Sequence, residues 1–173
     1  LDLADSQTPQ GIVAVIQKEE VGQADFSQGK FLFLEDVQDP GNVGTIIRTA
    51  DAAGFTGVIV SDKSADIYSL KTLRSMQGSH FHLPIYRMTS QALLEEAKEV
   101  AIPVLATTLS KDSVDYRELP SIENFVLVMG NEGQGISSLM AESADQLLHI
   151  SMKGKAESLN VAVAAGILIF HLS

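Results

Sequence analysis

The stretch FVLVMGNEGQGI, residues 125–136, decides how the rest of the chain is interpreted. Its first half is an apolar run of strand length, and its second half carries three glycines within six residues, which is typical of a tight loop. It therefore predicts a buried strand that delivers a polar turn to one edge of a sheet. Ligands bind at that edge in open α/β sheets. A glycine-rich turn with a solvated Glu132 explains the same residues equally well.

Length and composition fit a single domain with a real core. The chain has 173 residues, 45% of them hydrophobic, and it contains no cysteine. The absence of cysteine excludes a disulfide scaffold and a thiolate metal site, and it fits a reducing, cytoplasmic compartment. No apolar run reaches the roughly 20 residues that a membrane span needs, so no membrane partner is expected.

The net charge of −10 argues against binding nucleic acid through overall electrostatics. A local patch is still possible, because residues 63–87 hold Lys63, Lys71, Arg74 and Arg87. An ordinary solvated helix face explains these residues as well and is slightly favoured.

Apolar runs and turn residues alternate along the chain. Strands are predicted at residues 12–16, 31–34, 58–60, 83–86, 102–106, 125–129 and 147–152. Helices are predicted from an N-cap at Asn42 to Gly54, over 67–76, 91–100 and 137–141, and from Ser158 to the end. Because strands alternate with helices and no Asn-Gly hairpin signal occurs, the fold class is α/β, with a mostly parallel sheet flanked by helices.

The last predicted helix is apolar on nearly every side. Val161, Val163, Ile167 and Phe170 are spread around its helical wheel. Such a helix must be covered all round. One face is hard to cover from within a small domain, which favours a homodimer interface; full burial inside the domain is the alternative.

Three polar clusters lie next to apolar elements. They are Asn42 with Gly44 and Arg48, then Gly130-Asn131-Glu132, and then Ser158-Leu159-Asn160. Each has an ordinary explanation by itself: Asn42 and Ser158 as helix caps, Arg48 as the partner of Asp51, and Glu132 as a solvated side chain. Together they predict a site at the strand ends.

Common catalytic motifs are absent from the sequence. There is no HExxH, CxxC, GxSxG or GxxxxGK[ST] pattern, so metal catalysis has little support and no metal is expected. A nucleotide-binding enzyme that uses GNEGQG for phosphates is a weaker hypothesis. The motif lacks a phosphate-binding lysine, and Glu132 would repel a phosphate.

Three longer motifs then carry a resemblance to a known family. They are LEDVQDPGNVGTIIRTADAAGF at 34–55, VLVMGNEGQGIS at 126–137 and ISMKGKAESLNVAVAAGIL at 150–168. With these motifs in this order, the chain resembles the SpoU/TrmH family of the SPOUT superfamily, S-adenosylmethionine-dependent RNA ribose 2′-O-methyltransferases. The resemblance covers nearly the whole chain and implies a C-terminal trefoil knot.

The resemblance also implies a domain organisation. Residues 11–173 would form the SPOUT methyltransferase domain, and TPQGIVAV at 8–15 looks like the join found in two-domain members. Residues 1–10 would then be a linker or arm from an N-terminal substrate-binding domain. Since the chain starts at Leu1 and not at Met, an upstream segment is expected.

The methyl donor, S-adenosylmethionine, would be held in a bent shape, largely by backbone groups. The matching positions are Thr107, Thr108, Leu109, Met129, Gly130, Asn131, Gly135, Ile150, Met152, Ser158 and Leu159. One departure from the family pattern is Ser151, where relatives usually have proline.

The catalytic positions that match the family are Arg48, Asn42, Glu132, Ser158 and Asn160. The family interpretation assigns Arg48 to activating the ribose hydroxyl, from its own or the other subunit. Arginine is a poor base, so the alternative is a clamp on the adjacent phosphate and the developing alkoxide. The expected partner is RNA, with ribosomal RNA favoured over transfer RNA; a non-catalytic RNA-binding relative is the alternative.

Overall fold

The computed structural model describes residues 7–8, 10–18 and 20–173. They form a seven-stranded sheet in the order β3-β2-β1-β6-β4-β7-β5, with every pair of neighbouring strands parallel. The strands are β1 (Lys30–Leu34), β2 (Gly57–Val60), β3 (Ile85–Arg87), β4 (Val104–Thr107), β5 (Val114–Asp115), β6 (Phe125–Met129) and β7 (Gln146–His149). The predicted parallel α/β class is therefore confirmed, while the trefoil knot stays a prediction.

Within the described residues, five α-helices cover both faces of this sheet. They are α1 (Pro40–Ala52), α2 (Leu70–Met76), α3 (Ser90–Glu99), α4 (Ser138–Ser143) and α5 (Val161–Leu172). One core layer joins α1, α2 and α5 to the sheet, and the other joins α3 and α4 to the opposite face. All five residues of β6 are buried, which explains why its sequence is continuously apolar and does not alternate.

The ends of α1 and α5 differ from the sequence predictions. The N-cap of α1 is Asp39, whose Oδ1 accepts from the N–H of Asn42 at 2.8 Å, so Asn42 lies in the first turn. The N-cap of α5 is Asn160 and not Ser158. Both predictions were wrong, because a good capping residue elsewhere took the N-cap position. Gly54 does follow the end of α1, with φ at +75°.

The strand predicted at residues 12–16 is wrong. These residues have no strand assignment, and the exposed fractions of Ile12 and Val15 are 88% and 92%. Strand-like residues form a strand only where a sheet edge and a core face receive them, and here neither does. Of the predicted linker 1–10, residues 1–6 and 9 lie outside the described residues. None of the described helices is long and apolar enough to cross a bilayer.

Candidate functional site at the carboxyl ends of the central strands

The loops that follow β1 and β6 meet because these two strands are parallel neighbours in register, with Leu34 beside Met129. The side chain of Asn131 donates from Nδ2 to the carbonyl of Asp36 at 2.8 Å. The carboxylate of Glu132 accepts from the N–H groups of Gln38 and Asp39 at 2.9–3.2 Å. The glycine-rich loop therefore fixes the backbone that leads into α1.

Glu132 is held as a carboxylate by these contacts. Partial burial raises the pKa of its side chain, but hydrogen bonds from the backbone N–H groups, Asp39 first, outweigh that effect and leave the pKa below its ordinary value. The side chain that sequence alone could assign to solvent therefore has a defined acceptor role.

The glycines of this loop are explained by close backbone packing. Asn131 and Gly135 exchange two backbone hydrogen bonds of 2.9 and 3.0 Å, which folds the loop back on the end of β6. A Cβ atom at Gly130 would lie 2.4 Å from the carbonyl carbon of Gly135 and from the nitrogen of Ile136. Gly135 has φ at +70°, a conformation that favours glycine.

The first and third polar clusters are joined by one hydrogen bond. Asn160 donates from Nδ2 to Oδ1 of Asn42 at 3.2 Å, while its own Oδ1 caps α5 by accepting from Ala162 and Val163. Asn160 therefore connects the start of α5 to the first turn of α1. We call Asn42, Glu132 and Asn160 the polar network.

Arg48 lies on the exposed surface of α1, outside the polar network. Within the described residues it makes no hydrogen bond or ion pair. Asp51, its partner in the ordinary explanation of this cluster, instead contacts Nδ1 of His82 at 3.2 Å, so that explanation does not hold. An exposed arginine with no intramolecular partner is available to an external anion.

Gly44 belongs to packing and not to the site. A Cβ atom there would lie 2.4 Å from Cβ of Ser75 and 2.6 Å from the carbonyl oxygen of Thr72. The glycine therefore lets α2 cross α1 closely. Gly44 is close to Asn42 and Arg48 in sequence, but it has a packing role and not a role in the first polar cluster.

A pocket of about 510 Å³ opens at the carboxyl ends of β4, β6 and β7, next to the polar network. All eleven residues predicted to contact the methyl donor line it: Thr107, Thr108, Leu109, Met129, Gly130, Asn131, Gly135, Ile150, Met152, Ser158 and Leu159. Glu132 lines it too, whereas Arg48, Asn42 and Asn160 do not. We call this cavity the donor pocket.

Several residues of the region were not singled out from the sequence. Asp39 caps α1, and the Asp-Pro pair at 39–40 was an available signal, since proline favours the first helical position. Glu35 is buried and accepts from Oγ of Ser90 and from Ser137, which ties the end of β1 to the start of α3 and to the N-cap of α4. No sequence pattern marks that contact.

Among residues 7–8, 10–18 and 20–173, no group of three or more histidine, aspartate or glutamate side chains is arranged to hold a metal ion. The described polar side chains at the site are amides, hydroxyls, one imidazole and two carboxylates, of which Glu132 is already hydrogen-bonded to backbone.

A parallel α/β domain with a pocket at the carboxyl ends of its strands, bordered by a polar network, defines a nucleotide- or cofactor-binding class of protein. Comparison with known proteins narrows this class. The model of the SpoU rRNA Methylase family matches residues 29–170. The chain belongs to this family, and the predicted recognition is confirmed.

Individual relatives agree with that assignment. The chain is 45% identical over 170 residues to the 23S rRNA (guanosine(2553)-2'-O)-methyltransferase RlmP of Bacillus subtilis. The alignment covers 98% of this chain and 67% of that protein. It is 35% identical over 173 residues to the putative TrmH family tRNA/rRNA methyltransferase YacO of the same organism, covering 94% of this chain and 69% of the relative.

Solved structures share the fold. An AdoMet-bound rRNA methyltransferase from Sinorhizobium meliloti superposes with a TM-score of 0.79 and 42% identity, over 83% of this chain and 55% of that one. The SpoU methyltransferase AviRb from Streptomyces viridochromogenes, in complex with AdoMet, gives a TM-score of 0.75 and 34% identity, over 86% and 60%. The chain thus spans little more than half the length of these solved relatives.

Proposed function

We propose that this chain transfers a methyl group from S-adenosylmethionine to the 2′-hydroxyl of a ribose in RNA, and in ribosomal RNA rather than transfer RNA. The observation that carries the proposal is the donor pocket, whose lining contains every residue expected to contact the donor, beside the hydrogen-bonded polar network. The names of the relatives support it, because the 45% identical protein is a 23S rRNA 2′-O-methyltransferase.

The residues of the donor pocket fit S-adenosylmethionine. Leu109, Met152 and Leu159 offer apolar side chains, with exposed fractions of 80%, 36% and 37%, against which an adenine can pack. The backbone of residues 150–159 makes no backbone hydrogen bond within the described part of the chain, so its N–H and C=O groups are available to a ligand. Glu132 and Glu157 add negative charge, which suits a cationic donor.

The chemistry of the guanidinium group limits Arg48 to binding anions and stabilising negative charge. S-adenosylmethionine supplies a methyl group on a positively charged sulfur. In the transfer the ribose oxygen would bond to the methyl carbon, the carbon–sulfur electron pair would stay on sulfur to leave S-adenosylhomocysteine, and the hydroxyl proton would pass to solvent water. A guanidinium offers a planar fork of donors and no acceptor, so Arg48 binds the adjacent phosphate and stabilises the negative charge that develops on the oxygen. Asn42, Glu132, Ser158 and Asn160 orient these groups.

A homodimer would bring Arg48 to a donor pocket. Within one copy Arg48 does not line the pocket, and α5 leaves Val163 and Phe170 with exposed fractions of 53% and 57%. Covering this apolar face with a second copy would bury it and join two sites. Phe170→Glu should convert the dimer to monomers in size-exclusion chromatography with light scattering. Leu139→Glu, at a 44% exposed leucine on α4, is the matched control that should leave the dimer intact.

The domain, knot and location assignments are part of the proposal. Residues 11–173 form the methyltransferase domain; support for residues 26–170 comes from the family match over 29–170 and from Phe26, the first of the described residues in the buried core. The likeness to SPOUT-type structures supports a C-terminal knot. A ribosomal RNA substrate and the lack of cysteine support a cytoplasmic location.

The direct test offers the chain radiolabelled S-adenosylmethionine with ribosomal RNA or transfer RNA, followed by digestion to nucleosides and mass spectrometry. We expect a 2′-O-methyl nucleoside from ribosomal RNA only. Label on a base would overturn the reaction class, and label in transfer RNA alone would overturn the substrate. RNA binding without transfer would identify a non-catalytic relative.

A further inference from the structure

One side of the donor pocket is formed by residues 150–159, which connect β7 to the cap of α5. Every residue from 151 to 159 is exposed. Within the described part of the chain, the backbone of 150–159 makes no backbone hydrogen bond and its charged side chains form no ion pair. We call residues 150–159 the wall. Because it is exposed and has few bonds of its own, it needs some contact that holds it in position for a ligand.

That contact is made by Ser151. Its Oγ donates to Oδ2 of Asp115 at 2.6 Å, and this is the hydrogen bond that the described structure shows between residues 150–159 and the rest of the molecule. Asp115 is itself fixed by Arg117, which donates from Nε to Oδ1 at 2.7 Å and from Nη2 to Oδ2 at 2.9 Å. The carboxylate therefore accepts from two directions.

Asp115 is well placed to act as a rigid acceptor. It belongs to β5, pairs in register with His149 of β7, and its side chain is 11% exposed, whereas that of Arg117 is 52% exposed. Hydrogen bonds from the Arg117 guanidinium, and then from Ser151, hold the pKa of the Asp115 carboxyl far below its ordinary value. The acceptor is therefore ionised at any pH at which the enzyme would work.

A second contact from the same segment strengthens the connection. Oγ of Ser113 lies 2.9 Å from Nδ1 of His149, and both His149 and Ser151 line the donor pocket. Ser113 and Asp115 thus contact alternate residues, His149 at the end of β7 and Ser151 in the wall that follows it. Hydrogen bonds to a charged group are the stronger ones, so the Asp115 contact dominates.

We infer that Asp115 and Ser151 are positioning residues for the methyl donor, because the bond between them holds the wall formed by residues 150–159 in its binding conformation. This inference rests on the proposed function. Neither residue touches the reacting atoms; the pair lowers the cost of ordering the wall when the donor binds. Its loss raises the dissociation constant of the donor and leaves the chemical step unchanged.

The test is isothermal calorimetry of S-adenosylmethionine and S-adenosylhomocysteine on the 173-residue chain, with kcat measured at saturating donor. Ser151→Ala and Asp115→Ala should each raise Kd about tenfold, the lower end of the range for one hydrogen bond to a charged group. The double variant should be no weaker than either single one, since both remove the same bond. Ser151→Thr keeps a hydroxyl and should bind like the unmodified chain.

Glu118→Gln is the matched control, because it removes a nearby exposed charge that makes no described hydrogen bond to the wall. Its Kd and its melting temperature should not change. Unchanged Kd in Ser151→Ala, or losses that multiply in the double variant, would overturn the positioning role. A drop in kcat at saturating donor would do so as well. If the unmodified chain binds neither ligand, the proposed function fails and this inference fails with it.

Discussion

The donor pocket and the polar network lie side by side but are built in different ways. The pocket is lined largely by glycine and by apolar or small side chains at the ends of β4, β6 and β7. The network depends on amide and carboxylate groups of three separate segments, joined by the contacts of Glu132 with Asp39 and of Asn160 with Asn42. The pocket therefore depends mainly on its shape and its backbone groups, whereas the network and Arg48 depend on particular functional groups.

The largest effect is expected at Arg48. Its replacement tests whether catalysis can be lost while donor binding in the pocket is kept. Arg48→Ala should lower kcat by about 100- to 1000-fold, the range for removal of a group that stabilises developing charge. The Kd for S-adenosylmethionine should stay within about twofold, because Arg48 does not line the pocket of its own copy and its proposed contacts are with the RNA phosphate and ribose. Arg48→Lys keeps the charge without the planar fork and should recover only part of the activity. Equal loss of binding and catalysis would contradict this separation.

Mixing two inactive variants asks which copy supplies Arg48. Ala164→Phe would fill the donor pocket, which Ala164 lines, and leave Arg48 intact. Dimers formed from equal amounts of this variant and Arg48→Ala should recover about a quarter of full activity if Arg48 acts across the interface. No recovery would place Arg48 and the pocket that it serves in the same copy.

The next effect concerns the pocket alone. Gly130→Ala should destabilise the fold by about 2–3 kcal/mol and weaken donor binding, because the added methyl meets backbone atoms that cannot move independently. Gly133→Ala is the matched control in the same loop, where the nearest atom to an added Cβ is Oδ1 of Asn131 at 3.7 Å. Chemical denaturation should show a change within about 0.5 kcal/mol there. Similar losses in the two variants would mean that close packing is not the reason for Gly130.

Much of this comparison could be predicted from the sequence, and the reasons are specific. The continuous apolar run Phe125–Met129 indicates a strand covered on both faces, and the glycines after it indicate a tight loop. The residues that line the donor pocket were predicted through the family resemblance and not from their own pattern. Recognition of a ligand by backbone groups leaves no signature in the side chains. Nothing in the periodicity of the chain marks Leu109 or Leu159 as neighbours.

Other features could not be predicted because they depend on tertiary partners. Asp51 contacts His82 and not Arg48, since α1 and the turn after α2 pack together. Gly44 looked like part of a polar motif but is a helix-crossing position. The bond between Ser151 and Asp115 joins residues 36 positions apart. Contacts between side chains so far apart in sequence can be recognised only once the order of the strands in the sheet is known.

Glu132 allows the network to be tested by pH. Its pKa is depressed in the folded state, so its contribution to stability is present above the ordinary value of 4.5 and is lost as pH falls through the lower folded value. Glu132→Gln should therefore lower stability by about 1 kcal/mol at pH 7, and the difference from the unmodified chain should shrink below pH 4.5. Denaturant midpoints from pH 7 to 3 provide the measurement. A difference that does not change with pH would show that the carboxylate charge is not used.

The smallest effect distinguishes the two candidate caps of α5. Asn160→Ala removes the acceptor for Ala162 and Val163 and should cost about 1 kcal/mol of stability. Ser158→Ala makes a comparable truncation two residues earlier and should change the melting temperature little, because the described structure gives Ser158 no hydrogen bond to the helix. Since Asn160 also donates to Asn42, its loss should loosen the first turn of α1 and raise amide hydrogen exchange there. Faster exchange confined to α5 would mean that Asn160 only caps its own helix and that the polar network does not connect the two helices.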